Sequence, residues 1–124
     1  MGIARIANTC GYVIDANPLV LLEGIPPDVG TARRIVKLLT LYNPNTAAVT
    51  FTLRYAWADS MGERQTYTRF RDSIPTVDSW VFGSLGAIMV LDLSSNGEVK
   101  ELEIVLTAAP TLPIEYGIDY ADAT

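Results

Sequence analysis

The chain has 124 residues, 49% of them hydrophobic and 19% charged, and 9 Lys and Arg against 14 Asp and Glu give a net charge of −5. A domain of this size buries roughly two-thirds of its extended surface without metals or disulfides; the chain is too apolar to be disordered and lacks the run of about 20 apolar residues that a helical membrane span needs. The absence of histidine excludes histidine triads and imidazole-bound zinc, the lone Cys10 excludes an intrachain disulfide, and the acidic balance opposes the field that attracts a phosphate backbone, so no nucleic-acid partner is expected.

Residues 1–8 carry one basic side chain and no sustained apolar core, and Ile6 stands where a myristoylation signal has Ser or Thr. No leader, anchor or membrane partner is therefore expected, and a single unpaired cysteine fits synthesis in a reducing cytoplasm. A short strand is expected over 10–14. The following segment, Asn17-Pro18-Leu19-Val20-Leu21-Leu22-Glu23-Gly24-Ile25-Pro26-Pro27, is an apolar patch bracketed by prolines and glycine. Residues 19–23 are long enough for only a turn or two of helix. Consecutive apolar residues need cover, so residues 1–31 are read either as an arm that docks on a neighbouring subunit or as a strand or turn over the chain's own core. As an arm they are separate from a β-sandwich domain at 32–124.

The next elements read as strands. Ile35 to Tyr42 is followed by the turn formers Asn43-Pro44-Asn45-Thr46. Over 47–57, Val49, Phe51, Leu53, Tyr55 and Trp57 then alternate with Thr50, Thr52, Arg54 and Ala56. That two-residue period marks a half-buried strand, and the four-residue link is read as a hairpin connection. Another strand is expected over 65–71, with Tyr67, Arg69 and Arg71 on one face and Thr66, Thr68 and Phe70 on the other. Arginine among aromatics suits a protein interface. The stretch Asp72-Ser73-Ile74-Pro75-Thr76-Val77-Asp78-Ser79 lacks the spacing of a calcium loop and reads as a turn whose side chains bond their own backbone. A strand at 80–82 leads to Gly83-Ser84-Leu85-Gly86, a bend and not a phosphate loop, since no lysine follows.

The run over 87–93, apolar on both faces, leads through Ser94-Ser95-Asn96-Gly97 to a strand over 98–107. Asn-Gly between apolar runs is a strong hairpin signal. In the returning strand Leu102, Ile104 and Leu106 face inward while Glu101, Glu103 and Val105 face out, so the two acids are read as solvated. A last strand is expected over 114–120. The carboxylates Asp92, Glu98, Glu101, Glu103, Asp119 and Asp122 are the only catalytic groups present in number, and nothing in their spacing sets a pair at working separation. No catalytic, metal or cofactor residues are assigned. Trp57 and Trp80 are candidates for a glycan site, set against ordinary core packing. The whole is read as an all-β single domain, an antiparallel β-sandwich or jelly roll of about seven or eight strands with an extended N-terminal segment.

The run Val36-Lys37-Leu38-Leu39-Thr40-Leu41-Tyr42-Asn43-Pro44-Asn45-Thr46-Ala47-Ala48-Val49-Thr50-Phe51-Thr52-Leu53, with the second apolar pair at 87–107, resembles small β-sandwich virion proteins of tailed bacteriophages, nearest to capsid decoration (cement) proteins. The resemblance implies a non-enzymatic structural protein, commonly a homotrimer, made in the host cytoplasm. It would bind the outer surface of the head and stabilise contacts between major capsid protein subunits. Expected contact residues, read from apolar and arginine content and not from a family motif, are Leu19, Val20, Leu21, Leu22, Ile25, Arg64, Tyr67, Arg69 and Arg71. Alternatives are a head-to-tail connector, baseplate or fibre-base protein, or a glycan-binding β-sandwich module.

Overall fold

Alternation decides which face a strand buries, while the partners it pairs with are decided by contacts far along the chain. The computed structural model describes residues 5–24, 33–82, 91–92 and 100–123. Its strands are β1 (Arg5–Val13), β2 (Leu19–Leu22), β3 (Arg33–Asn43), β4 (Val49–Ala58), β5 (Arg64–Ile74), β6 (Asp78–Phe82), β7 (Leu91–Asp92), β8 (Glu101–Leu106) and β9 (Ile114–Ala123). They form two antiparallel sheets. The first has the order β1-β9-β3-β6, with the short β7 also on β3, and the second has the order β2-β8-β4-β5. The pairs β1/β9, β2/β8, β3/β6 and β4/β5 nest one inside the next, which is the arrangement of a jelly roll. The all-β sandwich read from the sequence is the fold observed.

Among the described residues neither expected hairpin pairing is formed. β3 lies in the first sheet and β4 in the second, so 43–48 is a corner between sheets and not a hairpin loop. β7 and β8 are likewise in different sheets, while the Asn96-Gly97 turn lies outside the described residues. Residues 5–24 are not an arm either. β1 and β2 are strands of the two sheets, with Val13, Leu21 and Leu22 buried in the core, and 19–22 is strand where a helical turn was considered. Removing 1–31 would take one strand from each sheet.

The core sits between the sheets. Phe51, Leu53, Leu102, Ile104 and Leu106 from one meet Val13, Leu39, Leu41, Ile114 and Ile118 from the other. Tyr55 packs against this cluster, as its place in the alternation requires. Leu53 is completely buried, so Leu53→Ala should cost about 2–5 kcal/mol in urea unfolding, from lost transfer energy and the cavity left behind. A loss below about 1 kcal/mol would mean that Leu53 does not face the core. Gly11 lies beneath the Tyr116 ring, where a Cβ would stand 2.7 Å from the phenol oxygen.

The one consecutive pair that closes as a hairpin among the described residues is β4–β5, through 59–63. Gly62 takes the left-handed region (φ +81°), and the Asp59 carboxylate accepts from the Met61 and Glu63 amides, both at 2.9 Å, and from Gln65 Nε2 at 2.9 Å. The Glu63 amide holds the Asp59 carboxyl below its ordinary range, opposed next by desolvation and assisted more weakly by Gln65 and Met61. A depressed carboxyl stabilises the fold above its unfolded pKa and loses that contribution as pH falls through the folded value. Asp59→Asn should therefore flatten the acid limb of the stability profile, read from urea midpoints across the carboxylate range. An unchanged acid limb would show that Asp59 does not contribute to it.

Candidate functional site

The expected contact residues fall into two groups, one on β2 and one on β5. On β2 a register shift between Val20 and Leu22 breaks the simple alternation, so two consecutive residues turn inward. Leu21 and Leu22 turn into the core, at 4% and 7% exposure, while Leu19 and Val20 are half-buried and Leu19 packs against the core. Ile25 lies outside the described residues. Leu21 and Leu22 are thus spent on this chain's own fold and offer no contact surface, because the apolar stretch that wanted cover finds it between the sheets.

β5 is the outer strand of the second sheet, and its faces differ from the simple alternation. Leu53 pairs with Phe70 and Arg54 with Thr68, which leaves Arg69 as an extra residue in a bulge. The bulge shifts the register, so Tyr67, Arg69 and Arg71 do not share a face. The Arg69 guanidinium lies 5.6 Å from the Tyr55 ring, 6.0 Å from Tyr67 and 5.9 Å from Phe70, and its Nε is buried without an acceptor. Tyr67 is 56% exposed, and Arg71 is exposed on the opposite face.

Arg64 is engaged with acids. It reaches the Glu103 carboxylate and, at 3.7 Å, Glu101. The other oxygen of Glu103 takes Arg54 Nε and Nη2, each at 2.6 Å. Glu103 is therefore not the solvated acid its alternation suggested. It points away from the core, but the two arginines cover it and leave its side chain 2% exposed. At the far end of the first sheet Asp122 makes two 2.8 Å bonds with Arg34, whose Nη1 also donates to the Glu23 carbonyl at 2.8 Å and whose guanidinium lies 5.0 Å from the Tyr120 ring. The Asp122 hydrogen bond, against partial desolvation, raises the pKa of Arg34. This contact ties the first sheet to the end of β2.

The remaining candidates resolve into packing. Trp80 sets its ring edge-on to Phe51 (4.9 Å) and Phe70 (5.7 Å) and donates Nε1 to Asp72 at 2.9 Å. Its ring is a wall of the core, not a free platform for a sugar, and Trp57 is half-buried. Asp72 and Asp78 each accept from the next residue's amide, at 2.8 and 2.7 Å, as turn-forming side chains do. Among the described residues no group of three or more Cys, Asp or Glu side chains could hold a metal, and 83–86 and Glu98 lie outside them.

What sequence reasoning missed is the outer face of the first sheet. Tyr12 and Val81 are 61% and 43% exposed there, beside half-exposed Leu38, Thr40 and Tyr42. A shallow depression forms over Gly117, lined also by Asn8, Cys10, Leu38, Thr40 and Asp119. The signal lay in 10–14, where Cys10, Tyr12 and Ile14 share one parity. A second open depression at the corner end is walled by Ala47, Ala48, Thr50, Thr107 and Pro110 and holds no titratable group. The described surfaces thus offer strand edges, arginines and aromatics, and the latter two are residue types enriched at protein interfaces. In comparisons with known proteins, no family model and no curated protein matches the chain.

Proposed function

We propose that the chain is a structural virion protein that acts by binding, a capsid decoration protein on the outer surface of a tailed-phage head. Its partner is the major capsid protein, whose subunit contacts it stabilises. The nested strand order β1-β9-β3-β6 over β2-β8-β4-β5 carries this reading, because that jelly roll recurs in viral capsid and lectin domains. Fold alone assigns no function, so the support from surfaces matters. The long edge strand β5 presents Tyr67 and Arg71, residue types enriched at protein interfaces, while Trp80 packs into the core and lends nothing to the lectin alternative. A rigid block that bridges a seam stabilises the bound lattice by mass action, and a stable contact of this kind buries about 1,200–2,000 Å².

The test is cosedimentation of the purified chain with heads of the encoding phage assembled without it, followed by heating of the decorated and bare heads. Saturable binding, raised head stability and a tenfold or greater loss of affinity in Tyr67→Ala with Arg71→Glu are expected. Failure to bind heads at any ratio, or tryptophan fluorescence quenched saturably by a sugar, would overturn the reading.

A further inference from the structure

Three arginines of the sandwich are matched by carboxylates. Arg34 gives Nε and Nη2 to the two oxygens of Asp122, both at 2.8 Å, in a side-on fork. Arg54 gives Nε to Glu103 at 2.6 Å, and Arg64 reaches the same carboxylate. Arg69 has no such partner among the described residues. Its guanidinium lies among the Tyr55, Tyr67 and Phe70 rings, at 5.6, 6.0 and 5.9 Å, and its Nε is buried without an acceptor. Ring faces attract a cation but are weak acceptors, and a covered donor with no oxygen to meet it weakens the free chain.

The backbone builds this position. Tyr55 pairs with Tyr67 and Leu53 with Phe70 across β4 and β5, and the extra residue of the bulge is Arg69, which the bulge aims at the rings. Phe70 stands edge-on to Trp80 at 5.7 Å and tilted against Phe82 at 5.5 Å, and Tyr55 also packs on the core. Tyr67, by contrast, is 56% exposed, and Arg69 itself is half-buried. The cage is thus fixed on its core side and reaches solvent at Tyr67.

The chemistry of the cage names its ligand. A planar fork with Nε to give matches the two oxygens of a carboxylate, the geometry that Arg34 and Asp122 already adopt in this fold. A net charge of −5 opposes a polyanion, whereas a single carboxylate on a protein surface meets the local field of Arg69 and Arg71. We propose that Arg69 anchors the partner contact by taking one Asp or Glu side chain of the major capsid protein, which enters past Tyr67 and accepts from Nε and Nη side-on. The source of the carboxylate rests on the decoration reading; the preference of the cage for a carboxylate does not. Completing a covered donor gives the complex a hydrogen bond that the free chain lacks, at the kind of desolvated arginine that dominates interfaces.

Arg69→Met keeps an apolar stem among the rings and removes both donor and charge. Its urea midpoint should be unchanged or raised, while its affinity for heads should fall about tenfold or more. Lys37→Met removes the same charge at an exposed position of the other sheet and should bind within about twofold of the parent. Arg69→Lys keeps the charge without the fork and should bind as weakly as Arg69→Met. Without heads, acetate is titrated into the chain and the Arg69 Nε–Hε resonance, assigned by its loss in Arg69→Met, is followed by NMR. It should move saturably, while those of Arg34 and Arg54, already bonded to carboxylates, stay nearly still. An Arg69 resonance that ignores acetate, or answers phosphate more strongly, would overturn the carboxylate site. A clear fall in the Arg69→Met midpoint, or parental head binding by Arg69→Lys, would make the residue a structural one and overturn the proposal equally. A resonance that answers acetate in a chain that binds heads at no ratio would overturn the capsid source and the decoration reading together, while leaving the carboxylate site standing.

Discussion

Asn43→Ala should cost the fold about 3–5 kcal/mol, more than most single substitutions. Asn43 is the last residue of β3, fully buried where the chain leaves the first sheet. Its amide nitrogen donates to the carbonyls of Ala47 at 2.9 Å, Ile74 at 3.1 Å and Pro75 at 3.2 Å. Its oxygen accepts from the Asn45 backbone amide at 2.9 Å and from Asn45 Nδ2 at 2.8 Å. Asn45 continues the network to Leu112, accepting from its amide at 2.6 Å and donating to its carbonyl at 3.0 Å, while its own carbonyl takes the Val77 amide at 3.2 Å. One pair of asparagines thus stitches the β3–β4, β5–β6 and β8–β9 connections into one end of the sandwich. Alanine at 43 orphans two or three buried groups together, at about 1–3 kcal/mol for each.

The measurement is the urea midpoint with the slope m unchanged, which separates lost stability from altered compactness. Thr46→Ala, at an exposed position of the same turn, should stay within about 0.5 kcal/mol. Asn43→Asp should be no better than Asn43→Ala, because it keeps the acceptor but points a carboxylate at three carbonyl oxygens. Equal, small losses in all three variants would mean that the connections are held by strand packing alone and that the asparagines are incidental.

The same corner shows where reading from sequence works and where it stops. Val49, Phe51 and Leu53, and again Leu102, Ile104 and Leu106, are inward as their two-residue period requires, because that period is a property of one strand. Asn43-Pro44-Asn45 is a turn as its composition requires. Whether a turn folds a strand back on its neighbour or carries it to the other sheet depends on partners such as Leu112, and those are set by topology. In a nested arrangement only the innermost pair, β4/β5, closes through a local hairpin, so strong turn signals elsewhere misname the connection. The bulge at Arg69 is equally silent, since one extra residue in a strand leaves the composition unchanged while reversing every later side chain. The β1 edge was half visible: the parity of Cys10, Tyr12 and Ile14 is in the sequence, but the openness of that edge follows only from the sheet order.

Glu103 carries the second large effect, and its two arginine partners are not equivalent. It stands opposite Arg54 in the β4–β8 register, and its side chain is 2% exposed where Arg54 is 26% and Arg64 is 52% exposed. Arg54→Ala removes the better-buried cation and leaves a buried carboxylate facing only a half-solvated arginine and another acid, for an expected loss of about 3–5 kcal/mol. Arg64→Ala removes a side chain that water already reaches, and should cost under about 1 kcal/mol. Arg54→Met combined with Glu103→Leu should return to within about 1 kcal/mol of the parent, because the cost of the single change lies in the stranded charge and not in any large net worth of the pair. Urea unfolding of the three variants decides it. Equal losses in Arg54→Ala and Arg64→Ala would place Glu103 in solvent after all, whereas a double variant as weak as Arg54→Ala would make the ion pair a true source of stability. The expected pattern, costly to break and nearly neutral to replace, assigns the cluster to fixing how β4 and β8 align rather than to holding the sheet together.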